Sequence, residues 1–138
     1  AKAMYKLESV VKDGGDLIIY APHINEFSIT HGHLIKEIGY HCRDFFLGQW
    51  DKYKNYPLGV LAHSTHLKGT GIFENGVEKS RINVILATAI PPEICEMVNL
   101  GYLDPLMINI NDWRSRESIG RMYVPDAGET LFKHEPED

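Results

Sequence analysis

Apolar residues open the chain at helical spacing: Met4, Leu7, Val10 and Val11 fall on one face, which predicts a helix from about Lys2 to Lys12. Asp13-Gly14-Gly15 then stops it, a strong turn signal. Leu17-Ile18-Ile19-Tyr20-Ala21 is too short for a helix and rich in β-branched residues, so it reads as a buried strand ended by Pro22. Beyond a polar loop, Leu34, Ile35, Ile38, Cys42, Phe45 and Phe46 recur at helical spacing and predict the longest helix, from about Thr30 to Trp50.

Asn55-Tyr56-Pro57 breaks the pattern, and Leu58-Gly59-Val60-Leu61-Ala62 reads as a second strand, followed by His63-Ser64-Thr65-His66. Lys68-Gly69-Thr70-Gly71 is a turn, and Asn75-Gly76 marks a hairpin. Ile82 to Ala87 is a third buried strand. Pro91 and Pro92 suit the first turn of a helix, where a missing N–H costs nothing. That helix carries Ile94, Met97 and Val98 and is expected to end at Gly101. Further on, the pattern predicts a strand at Leu106-Met107-Ile108, then a short helix capped by Asn111 or Asp112 and running to Ile119. It closes with a strand at Met122-Tyr123-Val124, a turn at Pro125-Asp126-Ala127-Gly128, and a fraying tail from His134 to Asp138.

Strands alternating with helices define an α/β class: a three-layer domain with a mostly parallel sheet flanked by helices. On such sheets ligands bind beyond the carboxyl ends of the strands. Both histidine-bearing loops are expected there, after Ala21 and after Ala62.

Length and composition narrow the picture. At 138 residues, with 43% hydrophobic and 24% charged residues, the chain is long enough for one globular domain, residues 1–138. The net charge of −5 and scattered basic residues give no stripe for nucleic acid or an anionic membrane, so neither is an expected partner. No apolar run approaches bilayer length. Cys42 and Cys95 sit at apolar positions and read as buried free thiols, which suits a reducing cytoplasm. The start, Ala1-Lys2-Ala3-Met4, enters a helix at once and suggests a piece of a longer chain.

Histidine carries the candidate chemistry: six of the seven lie between His23 and His66. His31 and His33 would chelate a metal together only in an extended segment, and His63 with His66 only in a turn. The spacing matches no zinc ribbon and no His-Glu-x-x-His helix. Hydrogen bonding to a substrate is the favoured role, and His41, inside the long helix, is structural. Pro22 to Ser28 supplies donors and acceptors for a hydroxylated or carboxylated ligand. Its plainer reading is a strand-to-helix loop with Ser28 or Thr30 as the helix cap. A helix starting near Thr30 would also offer free N–H groups to an anion. Lys68 to Ile72 is glycine-rich but matches neither a P-loop nor a dinucleotide fingerprint. No nucleophile elbow is present.

Three stretches carry a family resemblance: Gly14-Gly15-Asp16-Leu17-Ile18-Ile19-Tyr20-Ala21 with the helix before it, Tyr20 through His41 with Ala62-His63-Ser64-Thr65-His66, and Tyr123 to Gly128. Together they resemble the C-terminal domain of the lactate racemase family, in an uncharacterised branch, over nearly the whole chain. The resemblance implies a two-domain enzyme that racemises or epimerises a 2-hydroxy acid by abstracting and returning hydride at C2. It implies a nickel-pincer nucleotide cofactor whose ligands belong to an N-terminal domain absent from this chain, so no residue here takes a metal role. The partners implied are that N-terminal domain of the same polypeptide and a small-molecule hydroxy acid, and the fragment alone is not expected to be active. Ala21-Pro22-His23-Ile24-Asn25-Glu26 departs from the loop of lactate-type members and points to a sugar acid, an aldonate or uronate.

His23, Asn25, His63 and His66 are the candidate substrate-binding residues, with His23 and His63 the candidates for moving the hydroxyl proton. Three alternatives stay open: a domain of an NAD-dependent sugar-acid oxidoreductase, a self-contained histidine–metal hydrolase, and a non-catalytic interaction domain.

Overall fold

The computed structural model describes residues 1–118, 120–133 and 135. Helix α1 (Lys2–Leu7) continues into a 3-10 turn (Glu8–Val10), and Gly14, at a φ of +72°, turns the chain into strand β1 (Asp16–Ala21). Three helices follow, α2 (Gly32–Ile38), α3 (Arg43–Leu47) and α4 (Trp50–Tyr53). Helix α5 (Leu58–Lys68) leads to a hairpin of β2 (Gly71–Glu74) and β3 (Val77–Ser80). Strand β4 (Asn83–Thr88), helix α6 (Pro92–Met97), strand β5 (Gly101–Leu103), a 3-10 turn (Pro105–Met107) and helix α7 (Ile110–Ser115) complete the order.

The fold is α/β. Strands β1, β4 and β5 form a parallel sheet in the order β1-β4-β5, flanked by helices. Central β4 buries Val84, Leu86, Ala87 and Thr88, as a strand covered on both faces must. The hairpin closes through Asn75 and Gly76, both at positive φ (52° and 76°), the turn that matches strand twist. Its face with Phe73 and Glu78 is half-buried, and Ile72 and Val77 on the other face are exposed.

Several expectations give way. The helix expected over 30–50 is three pieces. Gly39 ends α2 with φ 74° and ψ −176°, a conformation essentially reserved for glycine, and Tyr40 to Cys42 run outside any helix before α3. His41 therefore lies between helices, not inside one. The apolar stripe survives the break because Ile35, Ile38, Cys42 and Phe46 all reach the core.

The strand expected at Leu58–Ala62 is the first half of α5, which buries Val60, Leu61, Ser64 and Leu67 at helical spacing. His63 and His66 consequently sit on a helix, not on a strand-following loop. Helix α6 ends through Asn99 at a φ of 64°, and Gly101 instead begins β5. Leu106 and Met107 lie in a 3-10 turn, with Ile108 just beyond it, because Pro105 starts a turn capped by Asp104. Asn109, not Asn111 or Asp112, caps α7 by accepting from the Asp112 N–H at 3.2 Å. Met122 to Val124 form no strand, and only a bridge between Ser118 and Arg121 occurs nearby. Ile119, His134 and residues 136–138, on which the predicted helix end and the fraying tail fall, lie outside the described residues.

Both cysteines are free and buried. Gly39 is stitched to α5 by Ser64, whose Oγ donates to the Gly39 carbonyl at 2.9 Å and accepts from the His41 N–H at 3.0 Å. No helix among the described residues is long and apolar enough to cross a membrane.

Candidate functional site

The loop after β1 is built against the end of β4. The Ile24 carbonyl accepts from Thr88 Oγ1 at 2.7 Å and from the Ala89 N–H at 3.0 Å, which joins the carboxyl ends of two adjacent parallel strands. Thr88 is 2% exposed, so this tie is rigid. From it the loop carries Phe27 and Ser28 toward α2. The Ser28 hydroxyl oxygen accepts from the His31 N–H at 3.1 Å, and the Ser28 carbonyl accepts from the Gly32 N–H at 3.0 Å. Ser28 thus closes the turn that precedes α2, whose N-cap is His31 without a side-chain cap, so neither Ser28 nor Thr30 caps the helix as expected.

A pocket of ≈ 280 Å³ opens here, lined by Phe27, Ser28, His31, Ile35, Gly59, Val60 and His63. Its walls are apolar, and its polar groups are one hydroxyl and two imidazoles. Among the described residues no lysine, arginine, aspartate or glutamate lines it. Such a pocket suits an uncharged oxygen-bearing group packed against carbon, as the hydroxyls and C–H faces of a polyol are. A second recess lies where β4 and β5 begin, and there the Lys68 amine already donates to the Asn99 carbonyl at 2.7 Å.

His63 is the best-defined polar group of the first pocket. Its Nε2 lies 3.1 Å from the Tyr40 hydroxyl, and the two rings meet edge to face at 5.6 Å. Burial pushes the His63 imidazole below its ordinary value of 6.5, helped by the positive chain start and by His66 and His31. Burial likewise holds the Tyr40 phenol well above its ordinary range. Both groups are therefore neutral near pH 7.

Of the four residues expected to face substrate, only His63 lines this pocket. His66, one turn further along α5, is exposed and tilts against the Tyr5 ring at 5.7 Å. His23 and Asn25 are exposed in the loop after β1 and do not line the pocket. His31 joins His63 instead, while its supposed partner His33 is exposed on α2. Sequence reasoning missed Tyr40 and Gly59. Tyr40 lies 23 residues from His63, and no local pattern pairs them.

His41 takes a structural place, as expected. Its Nδ1 lies 2.6 Å from Glu78 Oε2, and its ring stacks on Phe45 at 3.6 Å. Among the described residues no group of three or more His, Cys, Asp or Glu side chains is placed to hold a metal ion. The residues present do not fit a nickel group, and the convergence a histidine–metal hydrolase needs is not formed among them.

The fold and site together define an α/β domain with a small, largely apolar pocket at the carboxyl edge of its parallel sheet. No family model matches the chain, and no curated protein does. Among solved structures the chain is similar to a Thermotoga maritima protein determined by the Northeast Structural Genomics Consortium. The TM-score is 0.84 and the identity 38%, over 94% of this chain and 32% of that one. The chain spans about a third of the length of that protein.

Proposed function

We propose that this chain is the substrate-side domain of a 2-hydroxy acid racemase or epimerase acting on a sugar acid, an aldonate or uronate. The carrying observation is the pocket itself: two imidazoles and a serine hydroxyl set among Phe27, Ile35 and Val60, with no charged side chain among the described residues. That lining favours the hydroxylated tail of the substrate over its carboxylate, which needs a cation or helix end elsewhere. Lactate has no such tail, so the pocket argues for a longer acid.

The reading requires a second domain. A similar chain about three times as long accords with that, as do Ile29 at 91% exposure and Leu58 at 68%, each next in sequence to a pocket residue. Such exposed apolar side chains suit contact with an N-terminal domain of the same polypeptide, which would also carry the nickel-pincer nucleotide. This chain's share is to bind and orient the substrate and to exclude water from it. The setting is a cytoplasmic enzyme of small metabolites.

The test is C2 epimerisation by the longer polypeptide, followed by NMR on lactate, D-gluconate and D-glucuronate. Turnover of a sugar acid is expected. A preference for lactate removes the sugar-acid assignment, and no C2 inversion of any 2-hydroxy acid removes the whole reading.

A further inference from the structure

Tyr40 is 1% exposed and held at every point. Its N–H donates to the Val98 carbonyl at 2.8 Å, and its own carbonyl accepts from Asn99 Nδ2 at 2.9 Å. Its ring sits edge-on to Phe27 on one side, at 5.6 Å and 61°, and to His63 on the other, at 5.6 Å and 64°. The phenolic oxygen cannot swing to another place, and among the described residues it meets one polar partner, His63 Nε2 at 3.1 Å.

That contact allows two arrangements. If Nε2 carried the imidazole proton it would donate to the phenol, and the buried phenolic proton would have no acceptor, at a cost of about 1–3 kcal/mol. If the phenol donates, Nε2 accepts and the imidazole proton sits on Nδ1. The second arrangement satisfies both groups.

We infer that Tyr40 is a positioning residue: it fixes His63 as the Nδ1–H tautomer, so that His63 serves the pocket as a hydrogen-bond donor to a ligand oxygen and not as a proton acceptor. The tautomer follows from the geometry alone, whereas the ligand oxygen rests on the sugar-acid reading above. In this state Nε2 is occupied and Nδ1 already protonated, so neither nitrogen of neutral His63 takes a proton from a substrate hydroxyl. The pocket then pairs this fixed donor with the Ser28 hydroxyl, whose oxygen already accepts from the His31 N–H and whose proton is available to a ligand. Two donors beside an apolar wall select a ligand that presents acceptor oxygens next to a carbon face.

The test is the long-range 1H–15N correlation spectrum of the 15N-labelled chain near neutral pH. His63 is expected with a bare Nε2 and a protonated Nδ1, and Tyr40→Phe is expected to return it to a mixture rich in the Nε2–H form. A wild-type spectrum with the proton on Nε2 overturns the inference even if Tyr40→Phe does not fold, and an unchanged tautomer in a folded Tyr40→Phe overturns Tyr40 as its cause. D-gluconate is then titrated in. A shift of the His63 Nδ1–H resonance, weakened about tenfold in Tyr40→Phe, is expected. No shift, with the tautomer as stated, removes the ligand assignment and leaves the positioning role intact.

Discussion

His41 Nδ1 sits 2.6 Å from Glu78 Oε2, and this contact fastens the β2–β3 hairpin to the segment that interrupts the helices between β1 and α5. The other carboxylate oxygen of Glu78 accepts from the Cys42 N–H at 2.7 Å, and Asn99 Nδ2 approaches the same group at 3.3 Å. Both side chains are largely buried, at 16% and 12% exposure. Replacing the carboxylate by an amide leaves at least one donor without an acceptor. Glu78→Gln is expected to cost about 1–3 kcal/mol, read as a lower urea midpoint with an unchanged slope.

The same carboxylate makes the fold acid-sensitive. Burial alone would raise its pKa, but the hydrogen bonds from His41 and the Cys42 N–H outweigh it, and the group lies below its ordinary 4.5. A depressed carboxylate stabilises the fold above its unfolded value and loses that contribution as pH falls through the folded one. Urea midpoints of the wild type are therefore expected to fall as pH drops below about 4.5, and those of Glu78→Gln to fall less steeply.

His63 gives the opposite kind of titration. Its pKa is lowered, so the unfolded chain takes up a proton that the folded one resists. Stability is full above the unfolded value of 6.5 and declines as pH falls below it, toward the folded value. His63→Gln is expected to flatten the stability profile in that window, measured by thermal midpoints from pH 7.5 to 5. The amino group of Ala1, His66 and His31 also act on this ring, so the His66→Gln profile serves as the control.

Gly59 separates folding from binding. It lies in α5 without a positive φ, and a Cβ there would meet nothing within 4 Å, yet the residue lines the pocket. Gly59→Ala is expected to stabilise the domain by about 0.5–1 kcal/mol, because glycine is a poor helix former. The added methyl also narrows the pocket. A higher thermal midpoint together with weaker D-gluconate binding is the expected pair of results, and unchanged binding would place the ligand elsewhere.

Gly39 leaves no such freedom. At φ 74° and ψ −176°, with His41 Nε2 only 3.1 Å from where a Cβ would stand, Gly39→Ala is strained twice. A loss of about 1–3 kcal/mol is expected in denaturant unfolding. Because the Gly39 carbonyl accepts from Ser64, the shift should also reach α5 and disturb the His63 resonances.

The parts of the fold that were legible from sequence are those set by local chemistry. Strands β1 and β4 announced themselves as short β-branched runs, the hairpin through Asn75-Gly76, and α6 through its prolines. Leu58 to Ala62 misled because a short apolar run fits a buried helix as well as a strand. What settles it is Ser64, a polar residue 1% exposed on the inner face of α5, where it satisfies Gly39 and His41. The break at Gly39 was masked for the opposite reason: the buried positions on either side kept their period. The site was legible only as a surplus of histidines. Which of them meet depends on α2 and α5 approaching each other, and that is a tertiary fact.

The pairing of β1 with β4 also governs the order in which this chain can assemble. Asp16 lies beside Asn83, 67 residues further on, and Asn83 Nδ2 donates to Asp16 Oδ1 at 2.8 Å. Closing a loop of that length costs about 4 kcal/mol in chain entropy before any parallel ladder repays it. Strand β1 thus leaves a ribosome well before β4 and is among the last segments of this domain to find its neighbour. The helices and hairpin between have local partners and can form meanwhile. In a refolding experiment with pulsed hydrogen exchange, the β2–β3 amides should gain protection before those of Leu17 to Tyr20. Until β4 arrives, the apolar run of β1 is the stretch most in need of shielding from other chains.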